Sequence, residues 1–482
     1  ELELDGVGVT LPFDESGEVS FDPSTRGIRM SGVTGRIAFR KGGVDAKLAG
    51  VLEDLPYTVE LRYDGLTAEA PFRCVLMTEN FRLEERPGLL PFAPEIVKYR
   101  LKSFSNPTGL VSSRVEVSRT PGPEGDPGAV RIAGWIQFSQ VRAAFHYFPY
   151  PFEDLSGIVE FDNDGIEIKR VTGRASSGAR ITASGIIAPP TPSAHVDLLI
   201  EASEVPVDAQ LKQAIGPGRD AIVDALFSTT DYESLRREGM LLTREEARTL
   251  RAEKAQIEAI APDLRTRAQR DRMREIAARL EQPAFDLGGR ADIEVRLQRE
   301  RGEHTEWMRS ILVTFPRCGL VPAYFPLPIE AEGLTLDIGE DEAVVREGRF
   351  RGLRGGTARV DAVAEFVPPE RGGLIPRVRI DARSVPIEPL LLRALPEGTP
   401  AAPVRDIVTG LGLVGVIDCI ADIGPREDAA LGFDVSVDIE GAQARVRSRE
   451  GQQPLTLSAI KGVVRVSEGA MRAALAATPV PS

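Results

Sequence analysis

One phrase of this sequence occurs several times, and it constrains the fold more than any other feature. The fullest copy runs from Tyr147 to Asp162 and reads YFPYPFEDLSGIVEFD. Related copies begin at three other positions: Leu11, Tyr324 and, more loosely, Gln453. Recurrence of a phrase over such intervals indicates one structural unit stacked on similar units. We therefore expect an array of related units rather than a set of unrelated domains.

Short segments in which apolar and polar residues alternate follow the phrase. In the segment that begins at Gly165, Ile166 and Ile168 are apolar, whereas Glu167 and Lys169 are charged. A period of two predicts strands with one apolar and one solvated face, and the glycines between segments predict tight turns. The predicted fold class is mainly β: an elongated, repetitive antiparallel sheet with short helices and one inserted helical hairpin.

The spacing of the copies predicts where units begin and end. The chain opens inside a strand-like pattern without a methionine and stops soon after a repeat begins, so we expect a fragment. The expected divisions are a first, truncated unit over 1–108, a second over 109–227, a helical insertion over 228–287, a third unit over 288–409 and a truncated fourth over 410–482.

The insertion differs in composition from the units around it. It is rich in Arg, Glu and Ala and has few β-branched residues, which is typical of helix. Pro262 is expected to divide it into two helices. Leu250, Ile257 and Leu264 are spaced seven apart and would form a narrow apolar seam, by which the pair of helices packs on itself or on the end of a sheet.

The apolar faces of the strands have to be covered by something. They could pack on each other as a closed stack or curl into a trough that is open to an apolar ligand, and the pattern alone permits both. Aromatic residues make up only 6% of the chain, which mildly favours the trough. By strand parity, the side chains expected to line it are Val19, Phe21, Ile28, Met30, Val159, Phe161, Ile166, Ile168, Ile181, Val196, Leu198, Ile200, Leu334, Leu336 and Ile338.

Composition bears on which partners and which chemistry to expect. With 59 basic and 72 acidic side chains the net charge is −13, so nucleic acid is not an expected partner. The three cysteines and three histidines lack ligand spacing, so we expect no metal and no disulfide framework. Calcium at the turn from Asp162 to Gly165 is conceivable, but a plain turn is favoured. Without a converging set of acids and bases, we expect neither a catalytic residue nor a cofactor.

Several motifs between Tyr147 and Gly185 and their copies resemble those of a known family. The Y-F-P-x-P, G-x-V-x-F, G-I-x-I, V-T-G-R and A-x-I-T-A-S-G series is similar to AsmA-like proteins, large bacterial envelope proteins that include TamB and YhdP. The resemblance extends over nearly the whole chain apart from 228–283. It implies a β-taco rod with an apolar groove in the periplasm of a Gram-negative-type envelope, anchored to the inner membrane by a segment absent here.

The same resemblance implies a function. AsmA-like proteins are implicated in moving phospholipid between inner and outer membranes or in outer-membrane assembly. We therefore expect a non-catalytic protein whose groove carries phospholipid or another acyl lipid, and whose missing terminal segments reach the two membranes.

Two rival functions fit a repetitive β sequence. A polysaccharide-binding or adhesive surface protein would present aromatic residues, Asp and Asn on an exposed face, but here these residues cluster at turns. An enzyme such as a β-helix lyase would need converging acids and bases. The first rival is the main alternative to lipid carriage.

Overall fold

The alternating segments form strands that pair with one another in an antiparallel manner. The computed structural model describes residues 1–11, 28–52, 55–65, 67, 69–83, 104–121, 128–145, 148–191, 193–215, 219–302, 305–368, 373–395, 405, 408–410, 412–425, 431–446, 455–467 and 470–479. This part of the chain is 62% strand and 17% helix, and its strands form a sheet that is not closed. The predicted fold class, mainly β with short helices and an inserted helical hairpin, is confirmed.

The strands of the described residues are numbered in chain order. They are β1 (Leu2–Leu11), β2 (Ile28–Arg40), β3 (Gly43–Leu52), β4 (Leu55–Tyr63), β5 (Phe72–Arg82), β6 (Phe104–Arg119), β7 (Val130–Phe145), β8 (Phe148–Asp162), β9 (Ile166–Arg174), β10 (Arg180–Ala188), β11 (His195–Pro206), β12 (Gly288–Arg299), β13 (Trp307–Leu320), β14 (Ile329–Ile338), β15 (Glu342–Gly352), β16 (Thr357–Phe366), β17 (Leu374–Pro386), β18 (Val416–Pro425), β19 (Leu431–Val446), β20 (Leu455–Ser467) and β21 (Ala470–Pro479). The helices are α1 (Ala209–Ile215), α2 (Ala221–Leu226), α3 (Thr229–Arg237), α4 (Arg244–Glu258), α5 (Arg267–Leu280) and α6 (Pro389–Ala394).

Pairing follows the order of the sequence. Each strand from β1 to β10 pairs antiparallel with the next, and so does each strand from β13 to β20. Residues directly opposite each other in such a ladder point to the same face of the sheet. The apolar positions of successive strands therefore line up in rows that cross several strands.

The chain divides into two compact units. The first contains Glu1–Val205 and Glu294–Ser310, and the second contains Pro206–Ile293 and Ile311–Ser482. The finer division into four repeats stays a prediction. In the first unit one continuous cluster of buried side chains extends from Met30 to Val196.

The inserted helices belong to the second unit, where α3 packs on residues next to β12 and β13 and on α6. Tyr232 and Leu235 of α3 share a buried cluster with Phe285, Val321 and Leu390. The rings of Tyr232 and Phe285 are 6.0 Å apart between centroids. This cluster attaches the helical insertion to the end of β13 and to α6.

The insertion contains the predicted helical hairpin and one helix more. Pro262 lies between α4 and α5, as expected, while α3 was not anticipated as a separate helix. Capping boxes at Thr243 and Thr266 begin α4 and α5, satisfying amide groups that have no partner inside the helix.

The predicted seam of the hairpin is correct at two of its three positions. Leu250 is buried and Ile257 half-buried, and both pack with Ile276 of α5. Leu264 is 71% exposed, so its assignment to the seam was wrong. The reason is that α4 ends at Glu258, and a residue in the turn no longer follows the helical spacing.

Candidate apolar binding face

Strands β8 to β11 of the first unit align the predicted groove residues in cross-strand rows. In one row, Phe161 pairs with Ile166, Ile166 with Ile187, and Ile187 with Val196. In the next row, Val159 pairs with Ile168, Ile168 with Gly185, and Gly185 with Leu198. Residues predicted from parity alone therefore do share a face.

Burial changes from one row to the next. Phe161 and Val196 are 4% and 0% exposed and belong to the packed core of the first unit. Side chains further along the same strands are half-buried. We call this half-buried set the first strip; it contains Val159, Ile168, Ile181, Ala183, Leu198 and Ile200. One face of the sheet thus passes from dry core to a partly accessible aliphatic surface.

The opposite face of these strands is charged and solvated. Lys169 Nζ lies 3.2 Å from Glu160 and 3.4 Å from Glu167. The hydrogen bond to Glu160, followed by that to Glu167, raises the pKa of Lys169. Ile168 and Lys169 are therefore adjacent in sequence but lie in different environments.

A second set of rows, which sequence reasoning missed, crosses β15 to β19 of the second unit. One row joins Val345, Ala362, Val378, Ile423 and Phe433 through successive strand pairs. A second row contains Val360, Ile380, Ala421 and Val435. A third row contains Ala382, Cys419 and Val437. The half-buried members form the second strip, defined as Val360, Ala362, Val378, Ile380, Cys419, Ile423, Phe433, Val435 and Val437. The signal was present in the alternation from Arg377 to Asp381 (RVRID).

On the face of the sheet opposite the second strip, charged side chains of neighbouring strands pair with each other. Arg379 Nη1 lies 3.5 Å from Asp422, and Arg383 lies 2.8 Å from Asp381 and 3.2 Å from Asp418. The backbone amide of Ser384 and then the Arg383 guanidinium lower the pKa of Asp418. A cavity of about 630 Å³ among β15 to β19 is lined both by charged residues such as Arg379 and Asp422 and by Ala362, Val378 and Ile423 of the second strip. The lining of this cavity is therefore partly apolar, and three members of the second strip contribute to it.

The remaining predicted groove residues lie elsewhere. Met30 is buried in the core of the first unit, and Leu334, Leu336 and Ile338 of β14 are buried in the second. Ile28 begins β2 opposite Leu11. Val19 and Phe21 lie outside the described residues.

The structure adds detail on chemistry other than apolar binding. No three His, Cys, Asp or Glu side chains of the described ranges are placed to hold a metal ion. The carboxylate of Asp162 accepts hydrogen bonds from the amides of Asp164 and Gly165, at 2.9 and 3.0 Å, and so closes the turn between β8 and β9. No helix in the described part of the chain is both long and apolar enough to cross a bilayer.

Comparison with other proteins does not assign the chain to a family. No protein-family model, no curated protein and no solved structure matches it. The resemblance to AsmA-like proteins therefore rests on the sequence motifs alone, and the two strips are the features from which a function can be inferred.

Proposed function

We propose that the protein is a non-catalytic binder of lipid acyl chains, of the AsmA-like kind, and that the two strips hold the chains while the head groups stay in water. The observation that supports this proposal is the second strip. Its aliphatic side chains are aligned across four strands, β16 to β19, yet they are only half-buried in a sheet that is not closed. An aliphatic surface of this kind gains free energy when an apolar ligand covers it.

The chemistry of the strips suits alkyl chains better than sugars. Each methylene group moved from water to an apolar surface contributes about 0.8 kcal/mol. Ten methylenes would therefore gain roughly 8 kcal/mol, before the cost of immobilising the chain is subtracted. The members of the second strip are aliphatic apart from the thiol of Cys419 and the ring of Phe433. They offer few hydrogen-bond groups to a polysaccharide, which the rival adhesive function would require.

Movement along the strips would be passive. Successive rows present similar Val, Ile, Leu and Ala side chains, so an acyl chain would meet similar environments as it shifts from row to row. The paired charges on the opposite face, such as Arg379 with Asp422, keep that face in water. By resemblance, we place this activity in a bacterial cell envelope, either in lipid movement between membranes or in scaffolding outer-membrane assembly.

The proposal can be tested by lipid extraction and by crosslinking. The purified protein is analysed by native mass spectrometry for co-purifying phospholipid. Photoreactive residues are placed at Ile168 and Ile380 on the strips, with matched controls at Lys169 and Arg379 on the charged face. We expect lipid adducts at the first two positions and none at the controls.

The opposite result has a clear meaning. If no lipid co-purifies and none of the four positions yields an adduct, the strips do not hold acyl chains. The lipid-binding proposal would then be wrong, and a structural or adhesive role would replace it.

A further inference from the structure

The helical hairpin of α4 and α5 has a charge balance opposite to that of the rest of the protein. Between Arg244 and Leu280 there are ten basic and seven acidic side chains, whereas the whole chain has 59 basic and 72 acidic. The excess is concentrated from Arg265 onward, where six arginines accompany only Asp271 and Glu275. The hairpin therefore carries positive charge on a protein that is strongly acidic.

Part of the positive charge of the hairpin is compensated by carboxylates within the hairpin itself. Arg272 of α5 bridges to Glu253 of α4 at 2.7 Å and to Glu275 at 2.8 Å. Its single positive charge faces two carboxylates, and the bidentate bridge to Glu253 helps to hold the two helices together. Arg272 is thus explained by the structure of the hairpin.

Three other arginines form a stripe on the outside of α5. Arg267, Arg270 and Arg274 are spaced three and four residues apart, which places them on one helical face. The side chains of Arg267 and Arg274 are 92% and 81% exposed, and they share the single carboxylate of Asp271. Arg270 donates to the Arg265 carbonyl at 2.7 Å and has no carboxylate within 4 Å among the described residues. Three exposed positive charges are thus matched by one negative charge.

An exposed apolar side chain lies at the tip of the hairpin, next to this stripe. Leu264 is 71% exposed in the turn that leads into α5. Arg265 holds the turn in place, because its guanidinium donates to the carbonyls of Ile260 and Glu258 at 2.9 and 2.8 Å. Leu264 is therefore presented on an ordered turn, three residues before Arg267.

We propose that this tip, defined as Leu264 with Arg267, Arg270 and Arg274, docks on the head-group layer of a bilayer that contains anionic lipid. The argument is charge complementarity combined with the exposed leucine. Basic side chains near a membrane surface are attracted to anionic lipid, and an apolar side chain beside them can enter the head-group boundary. Nucleic acid is also anionic, but it offers no apolar layer for Leu264 to enter, whereas the head-group boundary of a bilayer does. This docking is separate from acyl-chain binding on the strips.

The test uses the intact protein and vesicles in a co-flotation assay. We expect binding to phosphatidylcholine vesicles that contain roughly one third phosphatidylglycerol, little binding to phosphatidylcholine alone, and a loss of binding at about 1 M salt. The triple variant Arg267→Glu, Arg270→Glu, Arg274→Glu should bind at least about tenfold more weakly. Leu264→Ser should weaken binding several-fold while keeping the salt dependence.

A matched control separates the tip from net charge. Arg349, Arg351 and Arg359 are exposed on β15 and β16, and their replacement by Glu changes the total charge by the same amount. Equal losses in the two triple variants would overturn the proposal, and so would equal binding to neutral vesicles. Binding to an acidic polypeptide or to DNA in preference to anionic vesicles would also overturn it.

Two further measurements complete the design. Circular dichroism establishes that the variants retain their helices, so that lost binding is not lost folding. The lipid adduct at Ile380 is measured on the same variants. If the protein does not bind vesicles but the adduct at Ile380 forms normally, only the docking proposal is wrong. If the adduct is lost but the protein binds vesicles normally, only the acyl-chain proposal is wrong.

Discussion

The ring of Phe161 lies over Gly134 on the neighbouring strand. The two residues pair across β7 and β8, and a Cβ atom on Gly134 would lie only 2.9 Å from Cζ of Phe161. The same atom would lie 2.3 Å from the carbonyl oxygen of Arg114 on the other side. Glycine is therefore needed at this position for a buried ring to begin the row that continues through Ile166.

We predict that Gly134→Ala destabilises the protein by about 1–3 kcal/mol, because the ring and the backbone must both shift to admit a methyl group. Urea unfolding, followed by circular dichroism, measures the change. Gly410→Ala is the control, since nothing lies within 4 Å of a Cβ atom at that position. If Gly134→Ala lowers the free energy of unfolding no more than Gly410→Ala does, the packing of Phe161 on Gly134 is contradicted.

The parity of the strands could be predicted from sequence, because a period of two leaves little freedom. Ile166 and Ile168 are on one face while Glu167 and Lys169 are on the other, as the alternation indicated. How deeply a face is buried could not be predicted. Leu334 is fully buried and Ala362 is half-buried, although both occupy apolar positions of alternating strands. Burial depends on what packs over the face, which is a property of distant parts of the chain.

The helical hairpin was also only partly predictable from the sequence. Pro262 and the composition predicted two helices, and these are present. Leu264 continues the spacing of seven residues, but this spacing places side chains on one face only within a helix, and α4 ends before Leu264. Arg265, which bonds to the carbonyls at the end of α4, holds the chain in the turn, and no local pattern indicated that contact.

The three cysteines provide a chemical test of which faces are accessible. Burial raises the pKa of the Cys74 and Cys318 thiols to about 12, and burial, with the charge of Asp381 second, raises that of Cys419 to about 11. The thiolate is the reactive form, so all three should react slowly in the folded protein. Cys419 is only half-buried on the second strip, so we predict that it is alkylated first.

The measurement is the time course of alkylation by a small maleimide, resolved by peptide mass spectrometry. We expect Cys74 and Cys318 to react only when urea unfolds the protein, which also serves as the control for reagent access. Added fatty acid should slow alkylation of Cys419 if acyl chains cover the second strip. Modification of Cys74 or Cys318 as fast as Cys419 under native conditions would contradict the burial described here.

The start of α4 should make the helical insertion sensitive to acid. Glu246 accepts a hydrogen bond from the Thr243 amide at 2.8 Å and one from Arg236 at 3.1 Å. The bond from Thr243, followed by the charge of Arg236, lowers the pKa of Glu246 below that of the unfolded chain. Its stabilising contribution is therefore complete above the pH at which an unfolded glutamate ionises. It is lost as the pH falls through the lower value of the folded state.

We predict that Glu246→Gln removes part of the loss of stability that the protein shows between about pH 5 and pH 3, because the amide cannot titrate. At pH 7 the variant should be less stable than the native protein, since the amide has no charge to attract Arg236. Urea unfolding at the two pH values, with hydrogen exchange of α4 as the local readout, checks both statements. Glu245→Gln, one residue earlier on the exposed side of the same turn, is the matched control. If the two variants show the same pH dependence, the capping box does not couple the helix to pH in the way the geometry indicates.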